Sequence, residues 1–332
     1  MMEGVELCFP QLNTSCRKPR RSLSDTVLTY IVLSFIAVLT AILNLLVIIS
    51  ISHFQKLHTP TNLLLLSLAV SDFFVGLLMF FQIILIEGCW FLGDLMCNLS
   101  YFLVFIITSS SVANMVLISV DRYVAICDPL HYSTKVTVRR VTICTCLCWL
   151  CSVLYNSLIM KDNLKQPGRF NSCSGECVVV LDYVAGLVDV LLTFIGPVTV
   201  IIVLYMRVFV VAVSQARVMR SHVAATSLQS SSKTTAKKSE MKAARALGVV
   251  VVVFLLCLCP YFCITLTGQD GLLKASSAAF VVCLFYFNSC LNPLIYAFFY
   301  PWFRKSVKII VTLQILKPGS CETNILQRDA VE

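Results

Sequence analysis

From Asn98 to Val120 the chain runs 23 residues without a charge. A helix rises ~1.5 Å per residue, so ~20 such residues cross the ~30 Å hydrocarbon core of a bilayer. Backbone polar groups find no water there and must pair within their own segment, which a helix achieves. Cys97 precedes the run, and Asp121-Arg122-Tyr123 and Cys127-Asp128-Pro129-Leu130 close it. One membrane face therefore receives a cysteine that a disulfide could fasten. The other receives a cation. That suits a device that passes a signal through a membrane better than an enzyme.

The rest of the chain repeats the pattern. Seven apolar segments lie at roughly 26–52, 60–86, 97–121, 141–160, 183–212, 244–268 and 275–301. Of the 332 residues, 58% are hydrophobic and only 13% charged, with a mean hydropathy of +0.87. A soluble domain carries about twice that charge fraction. The expected fold is an all-α bundle of seven membrane helices. It spans 26–301, between an outer tail (1–25) and an inner tail (302–332). No cleavable leader is expected, because Met1 to Asp25 is polar. An odd number of spans puts the termini on opposite sides. With the N-terminus outside, the outer basic residues are Arg17, Lys18, Arg20, Arg21, Lys161, Lys165, Arg169 and Lys274. The larger share of the 26 Lys and Arg then lies inside. The net charge of +9 is thus a topology signal and calls for no nucleic-acid partner. The sequon Asn13-Thr14-Ser15 agrees with an outer, glycosylated tail. About 214–242 reads as a flexible inner loop rich in Ser, Thr and Lys. Trp302 to Thr312 reads as an amphipathic helix at the lipid interface.

Six cysteines (Cys8, Cys16, Cys89, Cys97, Cys173 and Cys177) fall in the outer regions, and many pairings are open to them. Two carboxylates fall inside apolar segments, where each costs about 2.5–3.5 kcal/mol on insertion scales and so demands a reason. Asp72 shares its depth with Asn44, Ser111, Asn288, Ser289 and Asn292. Such an oxygen-rich set either holds a hard cation or ties helices together. Asp189 lies one to two turns inside the outer end of segment five, with Thr193 at i+4 and Asp182 at i−7. A poorly hydrated carboxylate there attracts an ammonium ion. Tyr261, Phe262 and Tyr286 offer aromatic faces to the same cation. The plain alternative has Asp189 reaching the headgroups or an outer lysine. Pro197, Pro260 and Pro293 interrupt segments five to seven and read as hinges.

These residues together resemble the rhodopsin-like G-protein-coupled receptors over the whole chain. The resemblance rests on Asn44, Leu68-Ala69-x-x-Asp72, Asp121-Arg122-Tyr123, Trp149, Pro197 with Tyr205, Pro260, and Asn292-Pro293-Leu294-Ile295-Tyr296. It is closer to the trace amine-associated receptors, through Cys89-Trp90-Phe91-Leu92-Gly93, Ser119 to Leu130, and the run Asn288 to Phe303. The resemblance implies a Cys97–Cys177 disulfide and a second bridge from Cys8 or Cys16 to Cys173. It implies a sodium ion at Asp72, Ser111, Asn288 and Asn292, and no other cofactor. It also implies coupling to a heterotrimeric G protein that raises cAMP, in an olfactory plasma membrane. Two departures stand out. The helix-three position where aminergic receptors carry an aspartate is Val104, and the tryptophan position before Pro260 is Leu258. Asp189 occupies the position where one branch of the trace amine receptors carries an alternative aspartate. Phe254 and Tyr261 are left to carry the coupling that the tryptophan usually provides.

The expectation is therefore a receptor for a small amine held by Asp189, in a pocket lined by Val104, Thr108, Thr193, Tyr261, Phe262 and Tyr286. Asp182 and Asp189 are ~10 Å apart along one helical face, which admits a diamine. Arg122 at rest is expected to pair with Asp121 and Glu240. Tyr205 and Tyr296 would hold Arg122 toward the G protein on activation. The inner basic residues suit acidic partners and anionic lipid. A receptor for a non-amine ligand is the rival within the family, on account of Val104. A transporter is disfavoured by odd parity and the lack of a repeat. An enzyme is the least expected reading, since no nucleophile–base pair or metal cluster can be assembled.

Overall fold

A computed structural model describes residues 6–18, 22–225, 248–263, 275–323 and 325–326. Helices α1 (Leu23–His53), α2 (Pro60–Glu87), α3 (Asp94–Cys127) and α4 (Val138–Ile159) follow one another. Helix α5 comprises Tyr183–Val190, a π-helical turn at Leu191–Ile195, and Gly196–Ala225. Helix α6 is Gly248–Cys263, α7 is Ala275–Phe299 and α8 is Pro301–Val311. Six of these are long and apolar enough to cross a membrane, and α6 is a shorter apolar helix.

Local chemistry sets the ends. Thr59 caps α2 by accepting from the Asn62 N–H, Pro60 supplies a φ suited to the first turn, and Gly88 (φ 82°) ends the helix in the left-handed region. Helix α3 ends at Cys127 because Asp128 precedes Pro129 and is steered away from helical ψ. Tyr300 precedes Pro301 in the same way and separates α7 from α8.

Two expectations are corrected here. Helix α3 outruns 97–121 at both ends, so Asp121 and Arg122 sit inside it, more than a turn before its end. A charge marks where a helix leaves the apolar layer, but the backbone ladder continues until something breaks it. Helix α5 likewise continues to Ala225 and takes the first part of the expected loop at 214–242. Gln, Ala, Arg and Met, the residue types at 215–217, 219 and 220, are good helix formers in water, so the helix can continue beyond the apolar layer. The remainder of that loop lies outside the described residues, as do the flanks of segment six.

Helix α3 runs through the middle of the bundle against α2, α4 and α5, while α7 packs on α1 and α2. Met115 and Ile118 of α3, Phe254 and Leu258 of α6, and Tyr296 of α7 join one buried cluster. Elsewhere the apolar surface faces outward. Leu150, Leu154 and Leu158 form an exposed stripe on α4, as a lipid-facing helix requires. Helices α1 and α2 approach closely at Gly76, where a Cβ would lie 2.9 Å from the Ala41 backbone nitrogen.

The tail folds back over one mouth of the bundle. The distribution of Lys and Arg leads us to expect this mouth outside; it is termed outer, and the opposite end inner. Its Leu7–Arg17 bridge makes a short hairpin, which pairs with the second outer loop through Cys16 N–H to Ser174 O at 2.9 Å. Three disulfides hold this cap: Cys8–Cys89, Cys16–Cys173 and Cys97–Cys177. Cys16 is thus joined to Cys173, and Cys8 to the end of α2. Asn13 is exposed in the turn between the two tail cysteines. Helix α8 buries Trp302 and Phe303, and Arg304 donates to the Ala297 and Phe298 carbonyls left open at the end of α7.

Candidate functional site

Beneath the cap lies a cavity of about 630 Å³. That size suits a small organic molecule. Helix α3 contributes Tyr101, Val104, Phe105, Thr108 and Ser109. Helix α5 contributes Tyr183, Gly186, Leu187, Asp189, Val190 and Thr193. Tyr261 and Phe262 of α6 and Val282, Phe285 and Tyr286 of α7 close the far side, with Gln82 of α2 and Leu181 and Asp182 at the rim. All seven residues named from the sequence as ligand contacts line this one space. Sequence reasoning missed Tyr101, Phe105, Ser109 and Phe285, which apolar runs do not distinguish from lipid-facing neighbours.

The charge of the lining is one-sided. Among the described residues it holds two carboxylates, Asp182 and Asp189, and no Lys, Arg or His. Asp182 is exposed and stands at the N-cap of α5 in non-helical backbone, so it lies just before the first turn and not on the helical face expected from its i−7 spacing to Asp189. Asp189 is half-buried and accepts a hydrogen bond from the Tyr155 hydroxyl of α4 at 3.2 Å. It forms no ion pair with an outer lysine among the described residues. Thr193 Oγ1 donates to the Asp189 carbonyl at 2.7 Å. Thr193 lies in the π turn and Asp189 just before it; the turn's wider i→i+5 bond runs from Gly196 N–H to Leu191 O just before Pro197. The widening relieves the clash that the proline ring would make with a tight α-turn.

Aromatic rings face the carboxylates across the cavity. Phe262 stacks on Phe194 with centroids 4.2 Å apart. Tyr261 packs against Phe262 and Phe285 at 5.4 and 4.9 Å, and Phe285 against Tyr286 at 5.3 Å. A cation placed here meets anionic oxygen on one side and π faces on the other.

A second polar site lies deeper. Asp72 is fully buried and accepts from Ser289 Oγ at 2.8 Å and Asn292 Nδ2 at 2.7 Å. Asn44 Nδ2 ties the same region together by donating to the Ser289 carbonyl at 3.0 Å. Ser111 and Asn288 are buried, but neither bonds Asp72 directly. The Oδ1 atoms of Asn288 and Asn292 are buried without a protein donor among the described residues. A carboxylate, hydroxyls and unmatched amide oxygens are the donor set of a hard cation or ordered water.

At the inner end Arg122 and Asp121 are both buried and paired, with Arg122 Nε 2.9 Å from Asp121 Oδ2 and a second contact from Nη2 to the same oxygen. Thr61 donates to Asp121 Oδ2 at 2.9 Å and Tyr132 to Oδ1 at 2.8 Å. Tyr123, one residue on, packs beside Ile126 and Val208 between α3 and α5. The hydroxyls of Tyr205, Tyr296 and Tyr300 are buried without partners among the described residues. Pro293 lies inside α7, and Pro260 near the described end of α6. Glu240 lies outside the described residues.

Three sites, from outer mouth to inner mouth, are thus threaded by one central helix. Residues 43–296 match the model of the 7 transmembrane receptor (rhodopsin family). The chain is 40% identical to trace amine-associated receptor 8c of Mus musculus over 97% of both chains. It is 38% identical to trace amine-associated receptor 6 of Homo sapiens over 98% of this chain and 97% of that one. Against trace amine-associated receptor 13c of Danio rerio the identity is 35% over 96% of each. The protein belongs to the rhodopsin family of seven-transmembrane receptors, a multi-pass, non-enzymatic class, and within it to the trace amine-associated receptors.

Proposed function

We propose that this receptor senses small amines at the outer cavity, with the Asp189 carboxylate as the ammonium anchor. One observation carries the reading. Among the described residues the lining offers two carboxylates, several aromatic side chains and no basic side chain, so the complementary ligand is a cation. The names of the relatives point the same way. Val104 leaves α3 without an anchor, so the charge is supplied from α5 instead. Asp182 at the rim gives a longer ligand a second anion, and α,ω-diamines belong to the proposed ligand class.

The signal runs inward by population shift: an amine that prefers one arrangement of α5 and α6 favours it in proportion to that preference. Sodium at Asp72, Ser111, Asn288 and Asn292, with Ser289 also available, would favour the resting arrangement. Release of Arg122 from Asp121, and from Glu240, would then turn Arg122 toward a heterotrimeric G protein that raises cAMP. The tail, with a glycan on Asn13, lies outside, and the basic residues of the inner face meet acidic protein and anionic lipid. The proposed site of expression is an olfactory neuron.

The test is a cAMP reporter assay with unbranched primary alkylamines and α,ω-diamines of graded chain length. Asp189→Asn should weaken every amine by about 100-fold or more, since leaving a charge unpaired in a buried site costs roughly 2–5 kcal/mol. Asp182→Asn should weaken diamines about tenfold and monoamines little. Unchanged amine potency in the Asp189 variant would sink the reading and leave the non-amine alternative, which Val104 favours.

A further inference from the structure

We infer that Tyr155, which does not line the cavity, is a positioning residue that aims the Asp189 carboxylate at the ligand and so sets the receptor's sensitivity to amines. The inference rests on the amine reading of Asp189 and adds a residue to it. Tyr155 belongs to α4, a helix whose outer half faces lipid through Leu154 and Leu158. Its hydroxyl nevertheless turns inward and donates to Asp189 Oδ1 at 3.2 Å. The other oxygen, Oδ2, has no protein partner among the described residues. One oxygen is therefore held from behind, and one is left for an incoming ammonium.

The neighbouring contacts make this more than a stray hydrogen bond. Asn156, the next residue of α4, donates to Ser109 Oγ of α3 at 3.2 Å and to the Ser152 carbonyl of its own helix at 2.8 Å. Ser109 lines the cavity. Two consecutive α4 residues thus brace two adjoining walls, α3 through Asn156 and α5 through Tyr155. From the backbone side, Thr193 Oγ1 secures the Asp189 carbonyl at the π turn. A carboxylate on a helix with an irregular turn would otherwise have two freely rotating torsions. Tyr155 removes that freedom before the ligand arrives, and pre-ordering of this kind lowers the cost of binding. A hydroxyl that donates to one oxygen also leaves the ammonium a single strong acceptor. The bond therefore distinguishes ligands by where their N–H points.

The experiment compares full-length receptors carrying Tyr155→Phe, Asp189→Asn, Asp189→Glu and the Tyr155→Phe/Asp189→Glu pair. Each is tested with the same alkylamine series in the cAMP assay, with surface density measured by antibody labelling. Tyr155→Phe keeps the ring and removes the donor. The expected result is a shift of about 5- to 20-fold to higher amine concentration, with maximal response and surface density retained. In the Asp189→Glu background, whose carboxylate is displaced by one methylene, the added shift should fall to about twofold or less. Unchanged potency of Tyr155→Phe overturns the inference. So do equal shifts in the two backgrounds, or a loss of maximal response in step with surface density, because any of these describes a residue that only supports the fold. If Tyr155→Phe fails to reach the surface, Tyr155→Met removes the same donor on an apolar chain and is read against the same criteria. Failure of the amine reading itself shows as an Asp189→Asn receptor with wild-type amine potency. Failure of this inference alone shows as a crippled Asp189→Asn beside an unaffected Tyr155→Phe.

Discussion

The outer and inner mouths of the bundle are closed by different chemistry. Outside, three disulfides lock the tail, the end of α2, the first turn of α3 and the second outer loop into one cap. Inside, closure among the described residues rests on polar contacts: Arg122 with Asp121, and Asp121 with Thr61 and Tyr132. Covalent links do not exchange on the timescale of signalling, whereas hydrogen bonds and ion pairs do. On the proposed function, the mouth that keeps a binding shape is the fastened one and the mouth that opens is only latched. The same contrast recurs on a smaller scale in the cavity. Its α3 wall at Val104 is apolar, and its α5 wall at Asp189 is charged and lies beside a π turn, where a helix bends most readily.

Breaking the covalent mouth should give the largest effect. Loss of a disulfide from a small outer domain costs about 2–5 kcal/mol. Cys97→Ser frees the first turn of α3 from the second outer loop, and surface receptor measured by antibody labelling should fall about tenfold or more. A Cys97→Ser receptor at wild-type density and potency would show that the cap is not what holds the cavity.

Loosening the latch should act in the opposite direction. Asp121→Asn removes the charge that pairs with Arg122, which is only 7% exposed. An unpaired buried cation is strongly unfavourable, so the population shifts toward arrangements in which Arg122 reaches outward. Basal cAMP should rise roughly two- to tenfold while surface density stays within about twofold. A fall in basal signal would argue that Asp121 serves the active arrangement instead.

The smallest effect separates the cap's hydrogen bonds from its disulfides. Glu176, between Cys173 and Cys177, accepts from the Ser172 N–H at 2.6 Å and the Ser172 hydroxyl at 2.7 Å. The backbone N–H first, and then the hydroxyl, hold its carboxyl below the usual glutamate range. A lowered folded value means the contribution is full above the ordinary value of about 4.3 and is lost as pH falls through the depressed one. Melting of the purified receptor should therefore differ from Glu176→Gln by no more than about 2 °C at neutral pH, and the difference should vanish in acid. A larger difference would mean that polar contacts share the load with the disulfides.

The residue motifs were legible because a bilayer imposes strict rules. Charge-free runs of span length have one helical solution, and a buried Asp72 or Asp189 stands out against them. Tyr155 was not legible. It lies between Leu154, which faces lipid, and Asn156, which is buried, and no periodicity separates a tyrosine at that boundary that turns inward from one that reaches the headgroups. Ser289, rather than Asn288, bonds Asp72 because helix rotation chooses between adjacent polar residues of α7. The inner end of α5 was misjudged because polarity marks the edge of the membrane and does not mark the end of a helix.

By itself, then, the amino-acid sequence determined the spans, the family and some of the residues that gather at the cavity, since hydrophobic length and ordered motifs are properties of the chain. Only the tertiary structure decided which cysteines pair, which way α4 turns Tyr155, and which oxygen of Asp189 stays free. Those are matters of distance between segments far apart in the chain, such as Cys16 and Cys173, 157 residues apart, or Tyr155 and Asp189, 34 apart. Packing brings such pairs together, and no local pattern records them.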